Sequence, residues 1–136
     1  MGGFMNSKGF SLVELAVVIV IIGVLAAFGI PRFREAVERS KSGEAFNYLS
    51  SVRAAEERYQ ARMASYATVL SELDINTPAP KYFSLWETTA DEQGWTLVLQ
   101  RTGKSAGYGA YTVMYTELGY STDSNIPAVI NAMGTN

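Results

Sequence analysis

Glu14 is the residue whose chemistry most needs an explanation. It is the one charged side chain between Phe10 and Ile30, a run otherwise made of Val, Ile, Leu, Ala, Phe, Gly and Ser. A carboxylate within an apolar membrane segment costs on the order of 2.5–3.5 kcal/mol at the centre and less near the end. It must therefore reach water at an interface or find a cation. The nearest basic residue is Lys8, just outside the run. Two further constellations could do chemistry. Gly103-Lys104-Ser105 has the tail of a phosphate-cradling loop, but lacks the preceding glycine at the required spacing and lies between two strand-like runs, so it reads as a hairpin loop. Asp123 and Asn125 are spaced like two oxygen ligands of a calcium loop. With Glu117 the nearest other carboxylate, they are weak calcium candidates, and a structural loop is the preferred reading. No other metal and no cofactor is expected.

Composition removes most catalytic alternatives. The chain has 136 residues with no Cys and no His. That excludes disulfides, thiolate metal sites, thiol nucleophiles, His-based triads and the usual proton shuttle near neutral pH. Eleven basic residues against thirteen acidic ones give a net charge of −2, without the basic face that nucleic acid requires. Sixteen aromatics, counting 12% Phe, Trp and Tyr, lack the interleaved cations of a single-strand-binding surface and read as core. The expectation is a non-enzymatic protein with no nucleic-acid partner.

The elements that must position Glu14 follow from the hydropathy pattern. At ~1.5 Å per residue, a helix from Phe10 to Ile30 covers about 30 Å, the thickness of a bilayer's hydrocarbon core. Lipid offers no partners for backbone groups, so a helix is required in spite of the β-branched residues. The run is too long for a secretory signal peptide and passes directly into charged helix formers at Arg32, with no polar cleavage region. Pro31 predicts a kink rather than a stop, because helix-forming sequence resumes at once and extends to Met63. Over that stretch Ala45, Tyr48, Leu49, Val52, Ala55, Tyr59 and Met63 recur at spacings of three and four, one apolar stripe for a globular head. Glu35, Arg39, Arg53 and Glu57 fall elsewhere, as solvated surface. The whole helix would be about 80 Å long, too long for so small a head to bury.

After a short helical or irregular connection over 65–75 and a proline-marked loop at 76–80, three strand-like runs follow: 81–88, 95–102 and 110–117. Turn sequences separate them at 91–94 and 103–109. Alternation of Trp95, Leu97 and Leu99 with Thr96, Val98 and Gln100 marks a half-buried strand. The fold class is α+β: a long N-terminal helix, membrane-spanning in its first half and kinked near Pro31, packed by a small antiparallel sheet of three or four strands. The polar tail 119–136 is expected to be a loop held by packing of Ile126, Val129 and Ile130, or by neighbours.

Lys8-Gly9-Phe10-Ser11-Leu12-Val13-Glu14-Leu15, followed by the apolar run, resembles the N-terminal signature of the type IV pilin family, which includes the pseudopilins of type II secretion systems. The likeness covers roughly the first 60 residues closely and the remainder in architecture. It implies cleavage between Gly9 and Phe10 by a prepilin peptidase and N-methylation of Phe10. It implies that Glu14, the fifth mature residue, neutralises the N-terminal amine of a neighbouring subunit during assembly. It further implies local melting of the helix in the filament, here over Gly23, Gly29 and Pro31. Many members close the tail region with a disulfide, which this chain cannot form. The leader carries one basic residue, fewer than is common in the family, and Met5 is an alternative start to Met1.

The expected organisation is a leader at 1–9, a transmembrane or filament-core helix at 10–30, an amphipathic helix at 31–63, and a β head with C-terminal loop at 64–136. The expected partners are other copies of the chain in a helical filament, the prepilin peptidase, an inner-membrane assembly platform with its motor, and the lipid bilayer before assembly. The expected location is the inner membrane first and an extracellular pilus afterwards. The alternative is the major pseudopilin of a type II secretion system, forming a periplasmic pseudopilus. The outsider is a membrane-anchored enzyme or binding module.

Overall fold

A computed structural model describes residues 2–3 and 8–134. The alternative starts Met1 and Met5 lie outside the described residues. Helix α1 runs over Leu12–Met63, and the chain divides into two compact units, Met1–Arg34 and Glu35–Asn136.

In the first unit the helix is all but bare. From Leu12 to Ile30 its large apolar side chains stand exposed, and the helix is long and apolar enough, by length and composition, to cross a membrane. Pro31 lies inside α1 and residues 23–31 are helical, so the alternative of a helix stop and linker does not occur. Pro31 still withholds its N–H, leaving the Ala27 carbonyl without its helical donor.

The second unit holds the core. From Glu35 onward α1 lays Ala45, Phe46, Leu49, Val52 and Ala55 against a four-stranded antiparallel sheet of order β1-β2-β3-β4. The strands are β1 (Phe83–Ala90), β2 (Trp95–Arg101), β3 (Thr112–Thr116) and β4 (Gly119–Tyr120). Trp95, Leu97 and Leu99 of β2 and Val113 and Tyr115 of β3 share the inner face, with Leu97 opposite Tyr115 and Leu99 opposite Val113. Each such large apolar side chain contributes about 1.5–3 kcal/mol on burial.

Several expectations need correction. The first strand begins at Phe83 rather than at 81 and continues to Ala90, because Thr88 and Thr89 extend its pairing down to Trp95. The Asp91 side chain then closes the turn, accepting the N–H groups of Gln93 and Gly94 at 2.8 Å. Residues 119–120, expected as loop, form β4: Gly119 takes φ +105°, which reverses the chain within two residues of β3. Met63 leaves the predicted stripe and stands 61% exposed, since α1 ends there and Ala64 enters the left-handed region.

The tail is fastened without a covalent link. Ile130 is fully buried, whereas Val129, expected to pack, is exposed. Backbone carbonyls complete the attachment: the Ser42 hydroxyl donates to Ile130 O at 2.7 Å, and Arg39 donates to Val129 O from Nε at 3.2 Å and again from Nη2. Arg39 is thus a tether rather than simple solvated surface. Ile130→Ala is expected to cost about 2–5 kcal/mol and to release this segment. Limited proteolysis of the full chain should then cut beyond Tyr120 first; an unchanged cleavage pattern would remove Ile130 from its anchoring role.

Candidate functional site

The apolar end of α1 is built by its own sequence. Ser11 and Glu14 form a reciprocal cap: the Ser11 N–H donates to Glu14 Oε2 at 2.9 Å, and the Glu14 N–H donates to Ser11 Oγ at 3.2 Å. Ser-x-x-Glu at a helix start satisfies two otherwise orphaned donors, and a carboxylate in the first turn also complements the helix dipole. Glu14 is therefore already half engaged in the single chain. Its other oxygen, Oε1, accepts no hydrogen bond among the described residues. Lys8 forms no ion pair with it.

Around this cap everything is apolar and open. Phe10 is 81% exposed, and Gly9 precedes the helix in irregular backbone. Val13, Ala16, Val17, Val20 and Ile21 line a shallow groove of about 310 Å³ along one side of the helix. A Cβ added at Gly23 or Gly29 would meet nothing within 4 Å. Packing within the chain thus requires neither glycine, while each lowers helix stability by about 1 kcal/mol relative to Ala. Such an end offers a hydrogen-bond acceptor at the mouth of an apolar surface. It has the means to bind a cation and another apolar helix.

The Asp123 carboxylate accepts the Ser121 hydroxyl at 3.4 Å, and the Asn125 N–H donates to Thr112 Oγ1 at 3.3 Å. The Glu117 carboxylate stands instead over Gly94, where an added Cβ would lie 2.8 Å from its Oε2. Among the described residues no three His, Cys, Asp or Glu side chains gather as a metal site. Gly103, Gly107 and Gly109 lie between β2 and β3, all with positive φ, as a hairpin loop requires.

A polar site that the sequence reading missed lies in the head core. Glu38 of α1, Arg101 at the end of β2 and Tyr111 just before β3 are all at most 2% exposed. Arg101 grips the Glu38 carboxylate with two donors, Nε to Oε1 at 2.6 Å and Nη2 to Oε2 at 3.1 Å. The Tyr111 hydroxyl donates to Oε1 at 2.7 Å. Arg101 also reaches the carbonyls of Tyr82, Thr102 and Lys104. Burial pushes the Glu38 carboxyl upward, but hydrogen bonds from Arg101 and Tyr111 and the positive charge beside it outweigh that and leave it below its ordinary range. Tyr111 is driven upward by burial and by its bond to Glu38. Both carboxylate oxygens of Glu38 are satisfied, and the group ties the helix to the sheet.

The chain resembles known proteins along most of its length. Residues 4–30 match the family model for the prokaryotic N-terminal methylation motif. The type IV wide pilus major component of Thermus thermophilus is 32% identical over 109 residues, covering 77% of this chain and 82% of that protein. The type IV major pilin of Myxococcus xanthus is 36% identical over 68 residues, half of this chain and 31% of its own length. A fimbrial protein of Eikenella corrodens is 46% identical over 52 residues, 38% of this chain and 34% of the relative. The chain thus spans about a third of the length of the last two.

Proposed function

Because this chain belongs to the type IV pilin family, we propose that it is a structural subunit, cleaved after Gly9, methylated on Phe10 and polymerised through α1 into a type IV pilus. The observation that carries the reading is the similarity to a wide-pilus major component over 82% of that protein's length, head included.

The physical steps follow from the apolar end of the helix. The Phe10–Ile30 segment resides in the inner membrane before assembly. Removal of residues 1–9 creates a cationic amine at Phe10, within reach of a carboxylate one turn along a neighbouring helix. In a dry bundle such a pair favours one axial register among several of similar packing energy. Moving the helix from lipid to a bundle brings little hydrophobic gain, so close packing and this contact give the process its direction. Prepilin peptidase, an assembly platform and a motor supply the cleavage and the extraction. The helix-weakening Gly23, Gly29 and Pro31 let residues 23–31 melt as subunits are drawn into the fibre. The filament is extracellular and its role mechanical rather than catalytic.

Mass spectrometry of the N-terminal peptide, in membranes and in filaments sheared from the cells, tests this. The expected peptide starts at Phe10, is heavier by one methyl group, and is abundant in the sheared fraction. The same peptide confined to membranes would assign the chain to a periplasmic pseudopilus. An intact leader in both fractions would end the proposal.

A further inference from the structure

Two arginines follow the apolar run at once. Arg32 and Arg34 are both exposed, and Phe33 between them is 70% exposed. Neither arginine forms an ion pair among the described residues. Their positions make that unexpected. Glu35 lies three residues after Arg32 and Glu38 four after Arg34, the spacings at which ion pairs form along a helix. Both carboxylates are engaged elsewhere, Glu35 by Arg39 at 3.5 Å and Glu38 by Arg101 in the head core. The next cations along α1 are occupied too. Arg39 holds the tail, and Lys41 Nζ stands 4.7 Å from the centre of the Tyr82 ring. Arg32 and Arg34 are thus a pair of guanidiniums without a counter-charge among the described residues.

Their depth indicates what they face. As a helix the Phe10–Ile30 run covers about 30 Å, the thickness of the hydrocarbon core. Residues two and four beyond Ile30 then lie about 3 and 6 Å further along the axis, among lipid headgroups. A guanidinium there presents a fork of donors that matches a phosphate, and it gives up water more readily than an ammonium. Orientation of the helix does not account for the two charges. In the proposed orientation they lie outside the cytoplasm, where cations oppose the positive-inside bias. They work against insertion and need a partner on that side to offset the cost.

We infer that Arg32 and Arg34 bind the phosphates of anionic phospholipids on the outer side of the inner membrane, holding α1 at a fixed depth before assembly. This rests on the proposal that the run resides in that membrane first. An anionic lipid surface favours each such cation by about fivefold, or about 25-fold for the pair. Drawing the subunit into a fibre must break these contacts, so the anionic lipid content sets how firmly the unassembled pool is retained.

The full chain in neutral detergent, titrated with phosphatidylglycerol or with phosphatidylcholine of the same acyl chains, tests this by native mass spectrometry of bound lipid. Phosphatidylglycerol is expected to bind about 25-fold more tightly. In Arg32→Gln/Arg34→Gln the two lipids should bind nearly equally; both positions are exposed, so the head is left intact. Arg58→Gln/Arg62→Gln removes the same charge from exposed positions further along α1 and should keep the preference. No preference in the unaltered chain, or one that survives Arg32→Gln/Arg34→Gln, would overturn the inference. Equal loss from both double variants would mean that net charge decides, and would overturn it too. Each of these failures leaves the filament reading standing, because the N-terminal peptide of sheared filaments decides that separately. Failure of the filament reading would appear in that peptide and leave the lipid ratio unchanged.

Discussion

Arg101→Met is expected to destabilise the head by about 3–5 kcal/mol, the cost of leaving a buried carboxylate without its cation. Glu38 cannot reach water in the folded head, and the Tyr111 hydroxyl alone would remain to it. For a domain of this size such a loss lowers the melting temperature by well over about 10 °C. Thermal unfolding of the full chain in detergent measures it. Glu38→Leu in the same chain should recover much of the loss, because an apolar pair of similar volume removes the stranded charge. Recovery should stop short of complete, since the tethers from Arg101 to the Tyr82 and Lys104 carbonyls are gone. The sign of the pH response separates charge from packing. In the native head the Glu38 carboxyl is held below its unfolded value, so its contribution is present above the ordinary carboxylate range and is lost as the pH falls through the lowered value. In Arg101→Met the main opposition to burial is gone, leaving only the Tyr111 hydroxyl and the charge of Lys41, so the carboxyl rises and acidification returns stability. The gap between the two proteins is expected to narrow as the pH falls. A gap that stays constant would mean that lost packing accounts for the effect.

Glu14→Ala is expected to leave processing at Gly9 intact and to abolish sheared filaments or reduce them severely. The cap at the helix start supplies the control. Ser11→Ala removes one hydrogen bond of the same reciprocal pair, at about 0.5–2 kcal/mol of helix stability, yet keeps the carboxylate. If Glu14 acts by accepting the amine of a neighbour, Ser11→Ala filaments should appear within a few-fold of normal yield. Equal loss from both substitutions would reduce Glu14 to a helix cap. Quantifying sheared subunit against the membrane pool, with the N-terminal peptide checked in each, decides between them.

The architecture was legible because its signals are long. The apolar run to Ile30, the stripe from Ala45 to Ala55 and the alternation of Trp95, Leu97 and Leu99 each repeat one period several times. Two-residue β4 has no period to read, and a bulge at Trp86 appears only when β1 is set against its partner. The buried polar cluster was missed for another reason: charged residues were assigned to the surface by type. Their positions say otherwise. Counting back from Ala45 by three and then four gives Ser42 and Glu38, both buried on the core face. Counting on from Leu99 by two gives Arg101, inside the sheet with Trp95, Leu97 and Leu99. A charge that keeps the period of an apolar face is a candidate for burial with a partner. Glu14 followed the reverse course, since its isolation in the apolar run was plain. Its pairing with Ser11 was equally legible as Ser-x-x-Glu and went unread beside the stronger apolar signal.

The fastening of the tail bears on how a fibre made of this subunit would respond to load. Ser42, Arg39 and buried Ile130 hold the C-terminal segment with no covalent closure, and no cysteine exists to supply one. A disulfide fixes a maximum extension and, once broken, needs an oxidant to be remade. Hydrogen bonds and an apolar plug yield at a finite pull and re-form by themselves when the pull ends. The tail can therefore detach and re-seat without a chemical step, and its fastening makes no demand on the redox state of the compartment in which the head folds.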